Sequence, residues 1–195
     1  MTELCEIAFK YKTDKCPQIN HAYTPYYYEL LKDRRQSIKK VLEIGVGDNT
    51  IKNFTPEYKV GGSLRMWRDF FPNAQIYGAD IVPEAIFEEE RIKTYLCDEN
   101  KKEDLIRLIS QIGSDIDLVI DDALHHASNQ ISLFNTLMPM LKKDVIYVIE
   151  DASFGINKDS LEEYNCLIPN LPPKERLKGA RDRLIILRNK NVPTN

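Results

Sequence analysis

The sequence predicts an α/β fold, a doubly wound and mostly parallel sheet with helices on both faces. Three observations carry that prediction. Short apolar runs recur along the chain and are separated by segments of helical periodicity, the alternation that builds βαβ units. The runs Val41 to Val46, Leu118 to Ile120 and Val145 to Ile149 are continuous rather than alternating, as strands covered on both faces require. Most of these runs end in glycine or in acids, where an open α/β sheet presents its ligand groups.

Residues 1 to 36 read as an N-terminal helical segment lying over the sheet edge and capping the site. Thr24 as cap and Pro25 at the first helical position start a helix with Tyr27, Leu30 and Leu31 on one face. The first strand ends in Gly45 and Gly47, and residues 48 to 62 form a long polar loop closed by Gly61 and Gly62. Ser63 is placed to cap a helix with Leu64, Trp67, Phe70 and Phe71 on its apolar face. Ala74 to Asp80 is the second strand and Ile92 to Cys97 the third. Asn100 and Glu103 suggest a capping pair for a helix through Ile112. The fourth strand runs into Asp121, a helix follows from Ser128, the fifth strand ends at Glu150, and Leu184 to Leu187 is the last. With no repeat and no boundary, residues 1 to 195 are expected to form one domain.

Bulk composition narrows the function classes. A chain of 195 residues, 43% hydrophobic and 29% charged, is large enough to bury about 70% of its unfolded surface without staples. Lys and Arg number 27 against 30 Asp and Glu, net charge −3, and they are scattered, which argues against nucleic acid or an anionic membrane as partner. A small-molecule acceptor is expected, with self-association into a homo-oligomer left open. Cys5, Cys16, Cys97 and Cys166 form no metal-ligand spacing, and Met1 is not followed by an apolar export segment, so a reduced cytoplasmic protein is the expectation.

The chemistry concentrates in Asp117 to His126 and in the end of the fifth strand. Asp121, Asp122, His125 and His126 crowd into six positions, and Glu150 with Asp151 arrives on the neighbouring strand. Hard oxygen ligands beside an imidazole suit a divalent cation next to a general base. In the first strand Glu43 stands two residues before Gly45. A pyrophosphate site would want a third glycine at position 50, which is Thr, with a helix starting directly after it. A cationic ligand without phosphate fits better, and S-adenosylmethionine is such a ligand. Asp80 is then placed for its ribose hydroxyls and Asp98 for its adenine amino group, with Asp121 at the same edge.

Five motifs together carry a family resemblance: Tyr11 to Lys15 with His21-Ala22-Tyr23, Glu43 to Gly47, Gly61 to Trp67, Ile120 to His125, and Ile149 to Asp151. Over roughly residues 8 to 152 the chain resembles the class I S-adenosylmethionine-dependent methyltransferases, and most of all their metal-dependent macrolide-type sugar O-methyltransferases. The resemblance implies a Rossmann-like fold and a cofactor held by Glu43, Gly61, Gly62, Ser63 and Asp80, beside Gly45 and Gly47, whose lack of a side chain lets a ligand approach the backbone closely. It implies a magnesium site on Asp122, Glu150 and Asp151, with His125 as the base that deprotonates a sugar hydroxyl. Leu124 and the second imidazole, His126, depart from the family pattern. Two other readings compete. One is a nicotinamide-dependent oxidoreductase or epimerase on the same sheet, and the other a non-catalytic binding protein that kept the fold.

Overall fold

The computed structural model describes residues 1–47, 57–171 and 182–190. Its centre is one eight-stranded sheet in the order β3-β4-β2-β1-β5-β6-β8-β7. Five strands form the parallel middle: β1 (Lys40–Ile44), β2 (Gln75–Asp80), β4 (Ile92–Leu96), β5 (Leu118–Asp121) and β6 (Ile146–Ile149). Antiparallel strands finish both sides, β3 (Glu88–Glu89) on β4, and β8 (Ile185–Asn189) on β6 with β7 (Tyr164–Leu167) outside it. The strand order reverses at β1, where β1 pairs with β2 on one side and β5 on the other. Such a reversal opens a crevice beyond the strand ends.

Alternate strand residues feed two cores. Val41, Ile76, Ile92, Leu118 and Ile120 pack with α1 (Glu3–Lys10), α2 (Tyr23–Leu31) and α3 (Gly62–Phe70), around Tyr27, Trp67, Phe70 and Phe71. Leu42, Ile44, Val119 and Tyr147 pack with α4 (Lys102–Ile112) and α5 (Ala127–Leu137), around Leu108 and Phe134. Trp67 meets Tyr27 edge-on at 5.0 Å between ring centroids. The N-terminal helices are therefore part of the first core, and the segment between them is held against the strand ends.

Four helix starts differ from the sequence expectation. α2 begins at Tyr23, and Thr24 is buried with its hydroxyl donating to Cys5 Sγ at 3.2 Å instead of capping. α3 is capped by Gly61 in the left-handed region (φ 77°), where an added Cβ would lie 2.3 Å from the Phe87 ring, and Ser63 turns inward to Glu43. Asn100 caps nothing, because its side-chain oxygen accepts from Asn129 Nδ2 at 2.5 Å, its amides donate to Asp98, and α4 starts at Lys102. α5 starts at Ala127, one residue before Ser128. Residues 48–56 of the loop expected at 48 to 62, and the segment with Pro172 and Pro173, lie outside the described residues. Among the described residues no helix is long and apolar enough to cross a membrane.

Candidate functional site

The first element of the site is the turn after β1. Gly45 has φ 89°, and a Cβ there would sit 2.1 Å from the carbonyl oxygen of Asp122, so only glycine lets the β1 and β5 ends approach this closely. Asp80, at the tip of β2, fixes the same turn. Its Oδ2 accepts from the amides of Val46 at 2.8 Å and Gly47 at 3.1 Å, and its Oδ1 from that of Val82 at 2.9 Å. Farther along the edge, Asp98 accepts from the amides of Asn100 and pairs with Lys101 at 3.1 Å. Its side chain keeps 17% of its surface exposed.

The second element is a group of acids on β1, β5 and β6, held by side chains of the N-terminal segment. Glu43 accepts from Ser63 Oγ and from Trp67 Nε1 at 2.6 Å. Lys15 Nζ donates to Asp122 Oδ2 at 2.6 Å and to Glu150 Oε2 at 2.5 Å, with Glu43 Oε1 at 3.9 Å. Tyr27 donates to the other oxygen of Glu150 at 2.6 Å. Asp151 has φ 41°, a strained conformation for a residue with a side chain. Tyr23 holds it there, donating to its Oδ1 at 2.8 Å and accepting from its amide at 3.2 Å. His21 stacks on Tyr23 and stands 3.0 Å from Asp182 Oδ1, 3.5 Å from Asp14 and 3.6 Å from Asp151 Oδ2.

The two elements meet at one cavity of about 190 Å³, whose lining includes Lys15, Gly45, Gly47, Ser63, Asp122, His125 and Asp151. His125 Nε2 lies 3.4 Å from Asp122 Oδ1. One ligand atom each from Asp122, His125 and Asp151 falls within 4.8 Å of the others, a spacing that one divalent ion could span. The two carboxylates, with open positions toward the cavity, fit a hard cation, and the imidazole stands beside them.

The charges follow from these contacts. Burial works against ionising Asp122, but Lys15 and His125 hold its carboxyl below the usual carboxylate range. The hydrogen bond to Asp122 raises His125. Burial also works against the charge on His21, yet the carboxylates of Asp14 and Asp182 raise its pKa to about 10. Burial pushes Asp121 up to about 7.

The sequence-predicted residues thus divide into three groups. Gly45, Gly47, Ser63, Asp122, His125 and Asp151 share the cavity. Glu43, Glu150 and Asp121 are each 1% exposed and lie behind it. Asp121 alternates away from Asp122 along the chain, and its Oδ2 is buried without a hydrogen-bond partner among the described residues. Asp80 and Asp98 follow along the edge toward β4, with Gly61 and Gly62 at the start of α3. His126 is exposed at the start of α5. The sequence assigned no role in the site to Lys15, His21, Tyr23, Tyr27 or Asp182. The one available signal was the clustering of Asp14-Lys15 and His21-Ala22-Tyr23 in a stretch with no periodicity.

Comparison with known proteins places this geometry. No family model matches the chain. It is 40% identical over 149 residues to the mycinamicin VI 2''-O-methyltransferase of Micromonospora griseorubida, covering 76% of this chain and 36% of that protein. It is 34% identical over 149 residues to the 8-demethyl-8-(2-methoxy-alpha-L-rhamnosyl)-tetracenomycin-C 3'-O-methyltransferase of Streptomyces olivaceus, again 76% and 36%. The chain therefore spans about a third of the length of the curated relatives it matches. Among solved structures, the MycE methyltransferase of the mycinamycin biosynthetic pathway, in complex with Mg, SAH and mycinamycin VI, superposes with a TM-score of 0.74 at 28% identity, over 99% of this chain and 57% of that one.

Proposed function

On the premise that this chain belongs, over its aligned residues, with the class I S-adenosylmethionine-dependent methyltransferases of the macrolide sugar type, we infer that it methylates a hydroxyl of a sugar-bearing small molecule. The observation that carries the reading is the single cavity lined by the Gly45–Gly47 turn and Ser63 on one side and by Asp122, His125 and Asp151 on the other. A methyl donor bound along the turn and an acceptor bound at the acids would meet there. Ile81 and Leu96 are 53% and 56% exposed beside Asp80 and the β4 end, an apolar seat for a flat heterocycle with acids at its rim. Leu124 and Phe154, 42% and 77% exposed, stand on the loops that carry His125 and Asp151 and suit the apolar part of a glycoside.

S-adenosylmethionine supplies an electrophilic methyl group when bound, and Mg²⁺ supplies positive charge that lowers a hydroxyl's pKa. Asp122 and Asp151 would hold the ion, with Glu150 behind them. With Nε2 turned to Asp122, His125 has Nδ1 left to take the hydroxyl proton, and Asp122 stabilises the imidazolium that results. Asp80 keeps the glycine turn in shape and retains lone pairs for the ribose hydroxyls. The strand-end setting orients donor and acceptor, which is the larger part of what such a site contributes.

The test combines binding and turnover. Calorimetry should show affinity for S-adenosylhomocysteine and none for NAD, and methyl transfer to a panel of glycosides should require Mg²⁺ and vanish after exhaustive EDTA treatment. NAD affinity without S-adenosylhomocysteine affinity would move the chain to the oxidoreductase reading.

A further inference from the structure

Lys15 is 1% exposed, yet its ammonium touches the acids of three neighbouring strands. Burying an ammonium is costly unless its charge is matched and its hydrogens are used, and here two carboxylates accept at 2.6 and 2.5 Å while a third stands at 3.9 Å. The residue is more than a brace for the N-terminal segment, because of which oxygens it takes. On Asp122 it takes Oδ2, and this leaves Oδ1 beside His125 at the cavity. On Glu150 it takes Oε2 while Tyr27 takes Oε1, so this acid cannot turn.

We propose that Lys15 is a positioning residue for the divalent-cation seat. It holds Asp122 and Glu150 side by side, so that Asp122 Oδ1 faces Asp151 and His125 in a fixed direction. The inference rests on the metal-assisted reading above and deepens it. Two carboxylates gathered round one nitrogen repel each other once that nitrogen is gone, and Asp122, whose side chain is 22% exposed, has solvent to turn into. An ammonium next to a metal seat also repels the metal. Asp122 and Asp151 bring two negative charges to the seat against the one on Lys15, so it stays attractive to a cation and orientation decides the affinity. Partners that orient metal ligands are worth about 10- to 100-fold in metal binding.

Mn²⁺ binding, followed by electron paramagnetic resonance without acceptor or turnover, tests this on wild type, Lys15→Met, Lys15→Arg and Leu4→Ala. Leu4 is a fully buried apolar residue of α1 and can neither donate to nor pair with these acids, so its variant loosens the same segment while leaving their polar partners in place. Lys15→Met should bind Mn²⁺ about 10- to 100-fold more weakly, Lys15→Arg should recover most of that loss, and Leu4→Ala should match wild type. Lys15→Met binding Mn²⁺ as wild type does, or more tightly, overturns the inference and leaves the cofactor reading standing. Wild type that binds no Mn²⁺ overturns the inference together with the metal part of the proposed function. Should Lys15→Met fail to fold, a wild-type crystal grown with MnCl₂ decides. Lys15 still on Asp122 with the ion on that acid's other oxygen supports the role, and an ion seated between Asp122 and Glu150 with the amine expelled overturns it.

Discussion

The row of strand ends has two halves that satisfy their acids by different means. On the β2 and β4 side, Asp80 and Asp98 accept from backbone amides of nearby turns. On the β1, β5 and β6 side, Glu43, Asp122, Glu150 and Asp151 accept largely from side chains, and Lys15, Tyr23 and Tyr27 reach across 107 to 135 positions of sequence to the last three. Backbone amides need no imported charge, so such an acid can sit at a solvated edge. Acids packed among Trp67, Tyr27 and the strands need an ammonium and hydroxyls brought to them. On the proposed reading the first half serves a neutral ligand surface that donates hydrogen bonds, and the second a cation and a proton.

The largest expected effect falls on the second half. His125→Ala should lose about 10² to 10⁴ in turnover, the range for one positioned base, with S-adenosylhomocysteine affinity nearly unchanged. His126→Ala should cost far less, because His126 is exposed at the helix start and lies outside the cavity. Assaying both variants on one acceptor settles the register. A dead His126→Ala beside a near-normal His125→Ala would move the base by one residue.

A pH dependence of stability should also come from this half. His21 is raised from 6.5 to about 10, so its contribution is fully present below pH 6.5 and is lost as pH rises through about 10. The groups facing it are Asp14, Asp151 and Asp182, with Tyr23 stacked on the ring. Denaturant midpoints at several pH values should fall over that window in wild type and fall less in His21→Gln. Equal slopes in the two proteins would contradict the charged-histidine cluster. A smaller loss is expected for Tyr27→Phe, which removes a hydrogen bond to a buried carboxylate and should lower unfolding stability by about 1.5 to 3 kcal/mol. An unchanged stability would mean that Glu150 finds another donor.

The same contrast explains what was legible in the sequence. The five parallel strands were readable because their apolar runs are local, and so were the glycine turn and the strand-end acids, since strand, turn and acid follow one another along the chain. The partners of the acids were not. Nothing in the local pattern of Lys15 says that it meets residues 122 and 150, and Tyr27 reads only as part of its helix's apolar face although its hydroxyl reaches Glu150. β3 has two residues and β7 four, too short for periodicity to show. Asn100 reads as a cap because the sequence does not say that Asn129 takes its side-chain oxygen.

The smallest effects belong to the first half, and they separate two acids that look alike in sequence. Asp80 holds three amides, two of them in the glycine turn, so Asp80→Ala removes a proposed ribose contact and also releases the turn. It should weaken S-adenosylhomocysteine binding by about 1 to 3 kcal/mol, the usual loss for hydrogen bonds to a charged group. Asp98 braces a solvated turn through Asn100 and an exposed lysine, and exposed pairs of that kind contribute little. If its carboxylate also reaches the adenine amino group, Asp98→Ala should cost about 1 kcal/mol in affinity, the worth of one such hydrogen bond. Calorimetry on the two variants under one set of conditions gives the ranking. A larger loss for Asp98 than for Asp80 would place the cofactor's strongest contact at β4, and the backbone-held half of the edge would have to be redrawn around that strand.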